Sequence, residues 1–165
     1  FDGVSWPPLP LMQNEKVVEA PTDRNQLTRR LTEKAVDFMK RNRHRPFFLY
    51  LAHWGPHTPL QATREDYEAV GDIHPHRKRV YAAMIRAVDR SVARVMQALE
   101  DEGLADNTLV VFTSDNGGFA KATDNSPLRA NKGSNYEGGI RVPAIIEWPA
   151  RVKSPSPKRV RLATP

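Results

Sequence analysis

Two polar residues with cation-binding chemistry stand one serine after an apolar run of the sequence. Asp115 and Asn116 follow the run 108–113, and Gly117 and Gly118 come next. Adjacent carboxylate and carboxamide oxygens suit a hard cation such as Ca²⁺ or Mg²⁺, and glycines let the backbone approach a ligand closely. The same residues also fit a simple Asx turn. Two ligands do not complete a metal site, so the two interpretations stay open here.

A histidine held between prolines is the second candidate for chemistry. His57 lies between Pro56 and Thr58-Pro59, a more rigid setting than a solvated loop residue needs. The spacing of His53 and His57 resembles a helical zinc pair, but Gly55 and Pro56 prevent the helix that would align the two rings. Zinc is therefore disfavoured, and His57 is either a catalytic group or a surface hydrogen-bonding residue.

Lys132 is the third candidate, in the segment Asn-Lys-Gly-Ser at 131–134. The glycines around it predict a backbone bent back toward the end of the sheet, where an ammonium group acts as a point charge for an anionic substrate. Taken alone, Lys132 is also typical of a solvent-facing lysine. Glu137 and Arg141 are interpreted as a scaffold ion pair.

The elements that position these residues alternate between helix and strand. Apolar residues at helical spacing predict helices at about 24–42 and 77–102, and Gly103 is placed to cap the second. Asp89 of the second helix is expected to face the interior and to have a polar partner there. Continuous apolar runs predict buried strands at 47–52 and 108–113, with a weaker strand at 140–148 interrupted by Pro143. This order predicts an α/β fold, a mainly parallel sheet with flanking helices. Asp115 and the histidines would then follow strand ends, where such sheets collect ligands.

Composition bounds the remaining possibilities. With 165 residues, 39% hydrophobic and 27% charged, the chain fits one globular domain. No apolar run approaches the roughly 20 residues of a membrane-spanning helix. The chain has no cysteine, which excludes disulfides and thiolate metal sites.

The basic charge is concentrated at the end of the sequence. The net charge is +6, and five basic residues follow Pro149 without a balancing acid: Arg151, Lys153, Lys158, Arg159 and Arg161. Because this Pro/Ser-rich stretch has no interleaved aromatic residues, a solvated tail is favoured and nucleic acid is not expected as a partner. We expect an extended Pro-rich connector at 1–22, a folded region at 23–149 and a basic tail at 150–165.

Four motifs in order give the chain a family resemblance. They are Pro-Phe-Phe-Leu-Tyr-Leu-Ala at 46–52, Pro-His-Thr-Pro-Leu at 56–60, Asn-Thr-Leu-Val-Val-Phe-Thr-Ser-Asp-Asn-Gly at 107–117 and Lys-Gly-Ser-Asn-Tyr-Glu-Gly-Gly-Ile-Arg-Val-Pro at 132–143. Together they resemble the arylsulfatase family of the alkaline-phosphatase superfamily. The resemblance implies that 23–149 is a partial alkaline-phosphatase-like sulfatase catalytic domain.

The resemblance also implies roles for the candidate residues. Asp115 and Asn116 resemble the second pair of ligands to an active-site Ca²⁺. His57 resembles the histidine that contacts the sulfate ester and helps protonate the departing alcohol, and Lys132 resembles the lysine that bridges sulfate and leaving-group oxygens. Cations around the sulfate oxygens are what such a transition state needs.

Two family features are missing from these 165 residues. The formylglycine nucleophile arises from Cys/Ser-x-Pro-x-Arg, whereas the only serine with proline two positions on, Ser5, is followed by Leu9 in place of the arginine. No early Asp-Asp pair is present to supply the other calcium ligands. We therefore expect a middle-to-later piece of the catalytic domain that has no turnover alone, with the nucleophile upstream.

The resemblance leaves substrate and compartment broad. The expected partner is a sulfate-ester small molecule or a sulfated glycan, with Trp54 the candidate for a sugar or aryl contact, and an exported (periplasmic or secreted) or lysosomal location is implied. Two alternatives remain: a phosphate or phosphonate ester hydrolase of the same superfamily, and a non-catalytic module that binds sulfated glycans.

Overall fold

A computed structural model of the protein describes residues 9–152. Most of the predicted basic tail, including Lys153, Lys158, Arg159 and Arg161, therefore lies outside the described residues, as do Pro7 and Pro8 of the predicted connector.

Two long helices form the main packed layer, as the sequence predicts. Helix α1 spans Leu27–Asn42 after a short 3-10 turn, and helix α3 spans His76–Asp101. Asp23 caps the turn before α1 by accepting a hydrogen bond from the backbone of Asn25. Gly103 follows the end of α3 with φ of +67°, the left-handed conformation expected of a residue that stops a helix.

The core lies between α1 and α3. Val36 and Met39 of α1 pack against Ala98 and Leu99 of α3, all buried. Further apolar residues pack against this cluster from outside the helices, among them Phe47, Leu49 and Val110. The apolar stripes that predicted both helices are thus the faces that they bury against each other.

The buried acid of this layer is a different residue from the one expected. Asp89 is exposed, so its predicted interior position is wrong. Asp66 is buried instead, on the short helix α2 at Arg64–Ala69, where it pairs with Arg86 and Arg90 of α3. An acid can be buried there because two guanidinium groups compensate its charge.

The predicted strand at 47–52 is not formed. Burial in this segment alternates residue by residue, with Phe47 and Leu49 against the core while Phe48 and Tyr50 are 87% and 79% exposed. One face is therefore covered and the other is open, whereas the sequence predicted burial on both faces. A strand requires a hydrogen-bonded neighbour, and no partner strand pairs with this segment within residues 9–152.

The strands that do form are antiparallel pairs. Strand β3 at Val110–Thr113 pairs with β4 at Ala144–Glu147, with Thr113 opposite Ala144. Strand β4 begins after Pro143, which lacks the N–H that a ladder needs. The mainly parallel sheet predicted from the sequence is not present in the part of the chain that the structure describes.

The end of the predicted connector is a hairpin. Strands β1 at Leu11–Gln13 and β2 at Lys16–Glu19 pair antiparallel around Asn14, which has a positive φ. Glu19 binds both the backbone N–H of Asp23 and the side chain of Arg30, so the hairpin is tied to the start of α1. The hydrogen bonds from Asp23 and Arg30 lower the pKa of Glu19.

Large apolar side chains remain exposed on the strands of the second pair and beside them. These include Val111, Phe112, Ile140, Ile145 and Ile146. Among residues 9–152, no helix has both the length and the apolar character that a bilayer crossing demands.

Candidate active site

The turn that carries Asp115 and Asn116 leaves directly from the end of β3. The Ser114 hydroxyl donates to the Asn116 carbonyl at 2.9 Å, which closes the turn locally. Asp115 is exposed, and within residues 9–152 neither its carboxylate nor the Asn116 amide has a hydrogen-bond or ion-pair partner. Both side chains therefore keep their oxygens available to a ligand.

Glycines lock this turn onto a second segment. The Gly117 N–H donates to the Gly139 carbonyl at 2.8 Å, and a Cβ on Gly117 would lie 1.9 Å from the carbonyl oxygen of Gly138. A Cβ on Gly138 would in turn lie 1.9 Å from the Ala130 carbonyl oxygen. Only glycine permits backbones to approach this closely. We call this contact between 117–118, 129–134 and helix α4, which spans Glu137–Ile140, the glycine junction.

Lys132 belongs to the same junction. Its backbone N–H donates to the Gly118 carbonyl at 3.1 Å, while its side chain is exposed and has no ion-pair partner in the described ranges. Gly133 follows with φ of +87°, which supports the bend predicted from the sequence. The junction thus brings the Lys132 loop beside the turn of Asp115 and Asn116.

Asn125 stabilises the junction, a role that sequence reasoning missed. Its amide nitrogen lies 2.8 to 3.2 Å from three acceptors: the Asn131 side-chain oxygen and the carbonyls of Gly118 and Gly138. The pairs Gly-Gly at 117–118 and 138–139 were the available signal of a close approach. Nothing in the sequence identified Asn125 as the side chain that joins them.

The predicted scaffold pair of this region is confirmed. Arg141 and Glu137 lie 3.0 Å apart across one turn of α4. The guanidinium of Arg129 also lies over the Tyr136 ring, 3.6 Å from its centroid. These contacts hold the segment that follows Lys132 in place.

His57 lies on a separate loop. Its Nδ1 is 2.7 Å from the Thr58 carbonyl, and its backbone N–H donates to the Trp54 carbonyl at 3.0 Å. A carbonyl can only accept, so Nδ1 carries a proton and Nε2 is left to accept or donate one. The ring is exposed, as proton exchange with a substrate requires. Within residues 9–152, no hydrogen bond joins His57 to the glycine junction.

His53 fixes the base of the His57 loop. Its Nε2 is 2.8 Å from the Ser91 hydroxyl of α3, which is 2.5 Å from the Thr32 hydroxyl of α1. The Nδ1 atom is buried without a hydrogen-bond partner in the described structure, and burial lowers the pKa of this imidazole. His53 therefore acts as a structural group of this loop, with its Nε2 already engaged by Ser91.

The donor set fits part of a calcium site. In the described part of the chain, Asp115 and Asn116 offer two oxygen ligands without a partner, the type that Ca²⁺ prefers. No cluster of three or more His, Cys, Asp or Glu side chains able to hold a metal occurs among residues 9–152. The turn thus matches two positions of a shell of 6 to 8 oxygens, and the others are not supplied by the described side chains.

Comparison with known proteins points to one family. The family model described as Sulfatase matches residues 5–163. Steryl-sulfatase from Mus musculus is 39% identical over 164 residues, which cover 91% of this chain and 24% of the relative. N-acetylgalactosamine-6-sulfatase from Homo sapiens is 33% identical over 167 residues, covering 92% of this chain and 31% of the relative.

Solved structures give the same result. Ps i-CgsB, crystallised in complex with k-i-k-neocarrahexaose, matches with a TM-score of 0.78 and 45% identity over 86% of this chain and 31% of that one. The putative sulfatase yidJ from Bacteroides fragilis matches with a TM-score of 0.64 and 28% identity, over 76% of this chain and 32% of that one. The chain spans between about a quarter and a third of the length of these proteins.

Proposed function

We propose that the whole protein hydrolyses a sulfate ester, because this chain belongs to the sulfatase family. The side chains proposed to take part are those of His57, Asp115, Asn116 and Lys132. One observation supports this above the others. The glycine junction holds, on neighbouring loops, two oxygen ligands and an ammonium group that have no partner among residues 9–152. That combination suits an anion bound between a metal ion and an ammonium group better than it suits a role in packing.

Lys132 is proposed to bind the sulfate group. Its exposed ammonium carries a positive charge that no acid within residues 9–152 neutralises. A cation placed at the ester stabilises the negative charge that builds on sulfate and leaving-group oxygens in the transition state. The hydrogen bond from its backbone to Gly118 fixes where the side chain begins.

His57 is proposed to hand a proton to the departing alcohol. With Nδ1 committed to the Thr58 carbonyl, the proton to be donated is held on Nε2. The carbonyl also fixes the ring orientation, so that Nε2 has one direction available for the leaving oxygen.

Asp115 and Asn116 would hold Ca²⁺ through their side-chain oxygens. When bound, the ion would polarise the sulfate oxygens as a Lewis acid. The nucleophile that the family resemblance implies, a formylglycine, requires a motif that these 165 residues lack. The proposal therefore assigns no nucleophile here, and we expect the isolated chain to show no turnover.

Leaving-group dependence tests the role of His57. The whole protein and its His57→Ala variant are assayed with aryl sulfates whose phenols differ in pKa. We expect the loss of kcat/KM to grow from small, with an acidic phenol, to about 100-fold or more with a basic one, because only the poor leaving group needs a proton. His74→Ala, a second exposed loop histidine, is the matched control and should retain activity. A loss independent of the leaving group would contradict the assignment.

A second assay tests the sulfate specificity. Lys132→Ala should lower kcat/KM by about 100-fold, whereas the exposed Lys121→Ala should not. The same preparations are given a phosphate monoester with the same alcohol. Faster turnover of the phosphate ester would replace the proposed function with that of a phosphatase, and binding of sulfated sugars without any turnover would indicate a binding module.

A further inference from the structure

Two hydroxyl groups and one imidazole form a chain of hydrogen bonds between helices α1 and α3 and the loop that carries His57. The Thr32 hydroxyl donates to the Thr28 carbonyl at 2.6 Å, one turn earlier in α1. It also lies 2.5 Å from the Ser91 hydroxyl of α3, which in turn lies 2.8 Å from Nε2 of His53. Thr32 and Ser91 are 5% and 3% exposed, so water does not compete for these hydrogen bonds.

The number of protons fixes the direction of this chain. A hydroxyl group has a single proton, and that of Thr32 is engaged by the Thr28 carbonyl, which can only accept. Thr32 therefore accepts from Ser91, and Ser91, having given its own proton, accepts from His53. The His53 ring must then carry a proton on Nε2. A proton on Nδ1 would be buried without an acceptor among residues 9–152, so that atom keeps its lone pair.

The turn that follows His53 is attached to the same two helices. A Cβ on Gly55 would lie 3.5 Å from a side chain of α3 and 3.6 Å from the Thr28 hydroxyl of α1, so the turn is in van der Waals contact with both. His57 closes the turn by donating its backbone N–H to the Trp54 carbonyl at 3.0 Å. Its ring also lies edge-on to the Trp54 indole, with the centroids 6.3 Å apart. His57 therefore belongs to a short, closed turn whose first anchor on the helices is His53.

We propose that His53 is a positioning residue for the proton donor, His57. This inference rests on the function proposed above, in which Nε2 of His57 protonates the departing alcohol. The leaving oxygen must come within hydrogen-bond reach of that atom, so a small displacement of the turn lowers the rate. The hydrogen bond from His53 to Ser91 opposes this displacement, because it anchors the residue directly before the turn on two helices. His53 itself does not touch the substrate, since its Nε2 is engaged and its Nδ1 is buried.

Two substitutions of His53 form a matched pair. The side-chain nitrogen of glutamine stands near the place of Nε2 in histidine, whereas that of asparagine stands near Nδ1 and is too short to reach Ser91. His53→Gln therefore keeps the hydrogen bond and His53→Asn loses it. In the whole protein, we expect His53→Asn to lower kcat about tenfold for an aryl sulfate with a basic phenol and little for one with an acidic phenol, at nearly unchanged KM. His53→Gln should retain most of the activity.

The His57→Ala background separates positioning from a merely structural role. If His53 acts through His57, His53→Asn should lower kcat by less than about twofold once the imidazole of His57 is absent. Val36→Ala is the control for lost stability, since it removes buried atoms from the core between the same two helices. That variant should leave the dependence on the leaving group unchanged. Circular dichroism verifies that each variant is folded.

A second readout needs no turnover. NMR of the whole protein with isotope-labelled histidine reports the protonation of each ring nitrogen, and His53 should carry its proton on Nε2 alone. His53→Asn should shift the ring signals of His57, whereas His53→Gln should leave them in place. Unchanged His57 signals in His53→Asn would refute the positioning role.

The two readouts separate this proposal from the proposed function. A kinetic loss in His53→Asn that is equal for all phenols, or that persists in full in the His57→Ala background, would overturn the positioning role even if sulfate esters are hydrolysed. If no sulfate ester is turned over but the His57 signals respond as expected, the proposed function fails and the positioning of His57 stands.

Discussion

Replacement of Asp66 tests how α2 is held against α3. The Asp66 side chain is 1% exposed and accepts hydrogen bonds from Thr63 at 2.8 Å, from Arg86 at 2.5 Å and from Arg90. In Asp66→Asn the shape is kept but the negative charge is lost, so two guanidinium groups face a neutral amide.

The expected cost follows from burial. Removing one partner of a fully buried ion pair costs about 3–5 kcal/mol. Arg86 and Arg90 are 35% and 44% exposed and can turn to water, so we expect roughly 2–3 kcal/mol of lost unfolding free energy for Asp66→Asn. Urea unfolding followed by circular dichroism measures the change, with an unaltered m-value.

Glu65 supplies the matched control. It lies 3.4 Å and 3.9 Å from Arg90 and Arg86 but is 76% exposed, so Glu65→Gln should cost less than about 0.5 kcal/mol. Equal losses for the two variants would refute the argument that burial makes Asp66 the important acid.

The pH dependence gives an independent readout. Burial raises the pKa of Asp66, but the hydrogen bonds from Thr63, Arg86 and Arg90 outweigh it, so the folded-state pKa is below the ordinary 3.8. The stabilisation is therefore complete above that value and is lost as pH falls below it, because the unfolded chain then binds the proton more readily. Asp66→Asn should flatten this acid limb of the stability profile.

Three further predictions concern the glycine junction and His53. Gly117→Ala places a Cβ 1.9 Å from the Gly138 carbonyl oxygen and should lower the free energy of unfolding in urea by more than about 3 kcal/mol. The control Gly71→Ala is strained only by its φ of +68° and should lower it by about 1 kcal/mol. Similar costs for the two variants would argue against the glycine junction. Burial lowers the pKa of His53, so stability should be full above its ordinary value of 6.5 and fall as pH drops below it; an NMR titration of the ring at or above 6.5 would contradict this. Ser91→Ala leaves both ring nitrogens of His53 without a partner and should cost about 1–3 kcal/mol by thermal unfolding, and a change near zero would show that the hydroxyl is not needed.

The long helices were predictable because their signals are local. Apolar residues recur at helical spacing through α1 and α3, and Gly103 marks the end of α3 in both sequence and structure. Helix α2 was missed because its six residues, Arg-Glu-Asp-Tyr-Glu-Ala, carry no apolar periodicity. Its Asp66 is buried because Arg86 and Arg90 compensate the charge, and these arginines lie 20 and 24 residues after Asp66 in the chain.

The segment 47–52 shows where a local signal is insufficient. An apolar run indicates that a segment prefers a nonpolar environment, but it does not supply the neighbouring strand that gives one. In the structure Phe47 and Leu49 pack against the helical core, while Phe48 and Tyr50 are exposed and are not covered by any of residues 9–152. Which face is covered is a tertiary property, and the run alone could not reveal it.

The candidate residues could be chosen from the sequence by their chemical type, but the arrangement of their loops could not. The types and flanking glycines of Asp115, Asn116 and Lys132 pointed to their chemistry, and the glycine junction now connects their loops. The contact of Gly117 with Gly139 spans 22 positions, which no local pattern encodes. The approach of His57 to this junction stays a prediction.

The glycine junction has a consequence for how this region tolerates change. The segment from Phe119 to Asp124 leaves the junction after Gly118 and is brought back at Asn125, whose amide returns to the Gly118 carbonyl. Inside this excursion Ala122 is 5% exposed, and Thr123 lies against Gly118. We therefore expect exchange without displacement of the backbone only at exposed positions such as Ala120 and Lys121. Substitutions confined to these two positions would alter the surface of the excursion while Lys132 and the Asp115 turn stay in place, so sequence variation in this region can accumulate there without changing the residues proposed for catalysis.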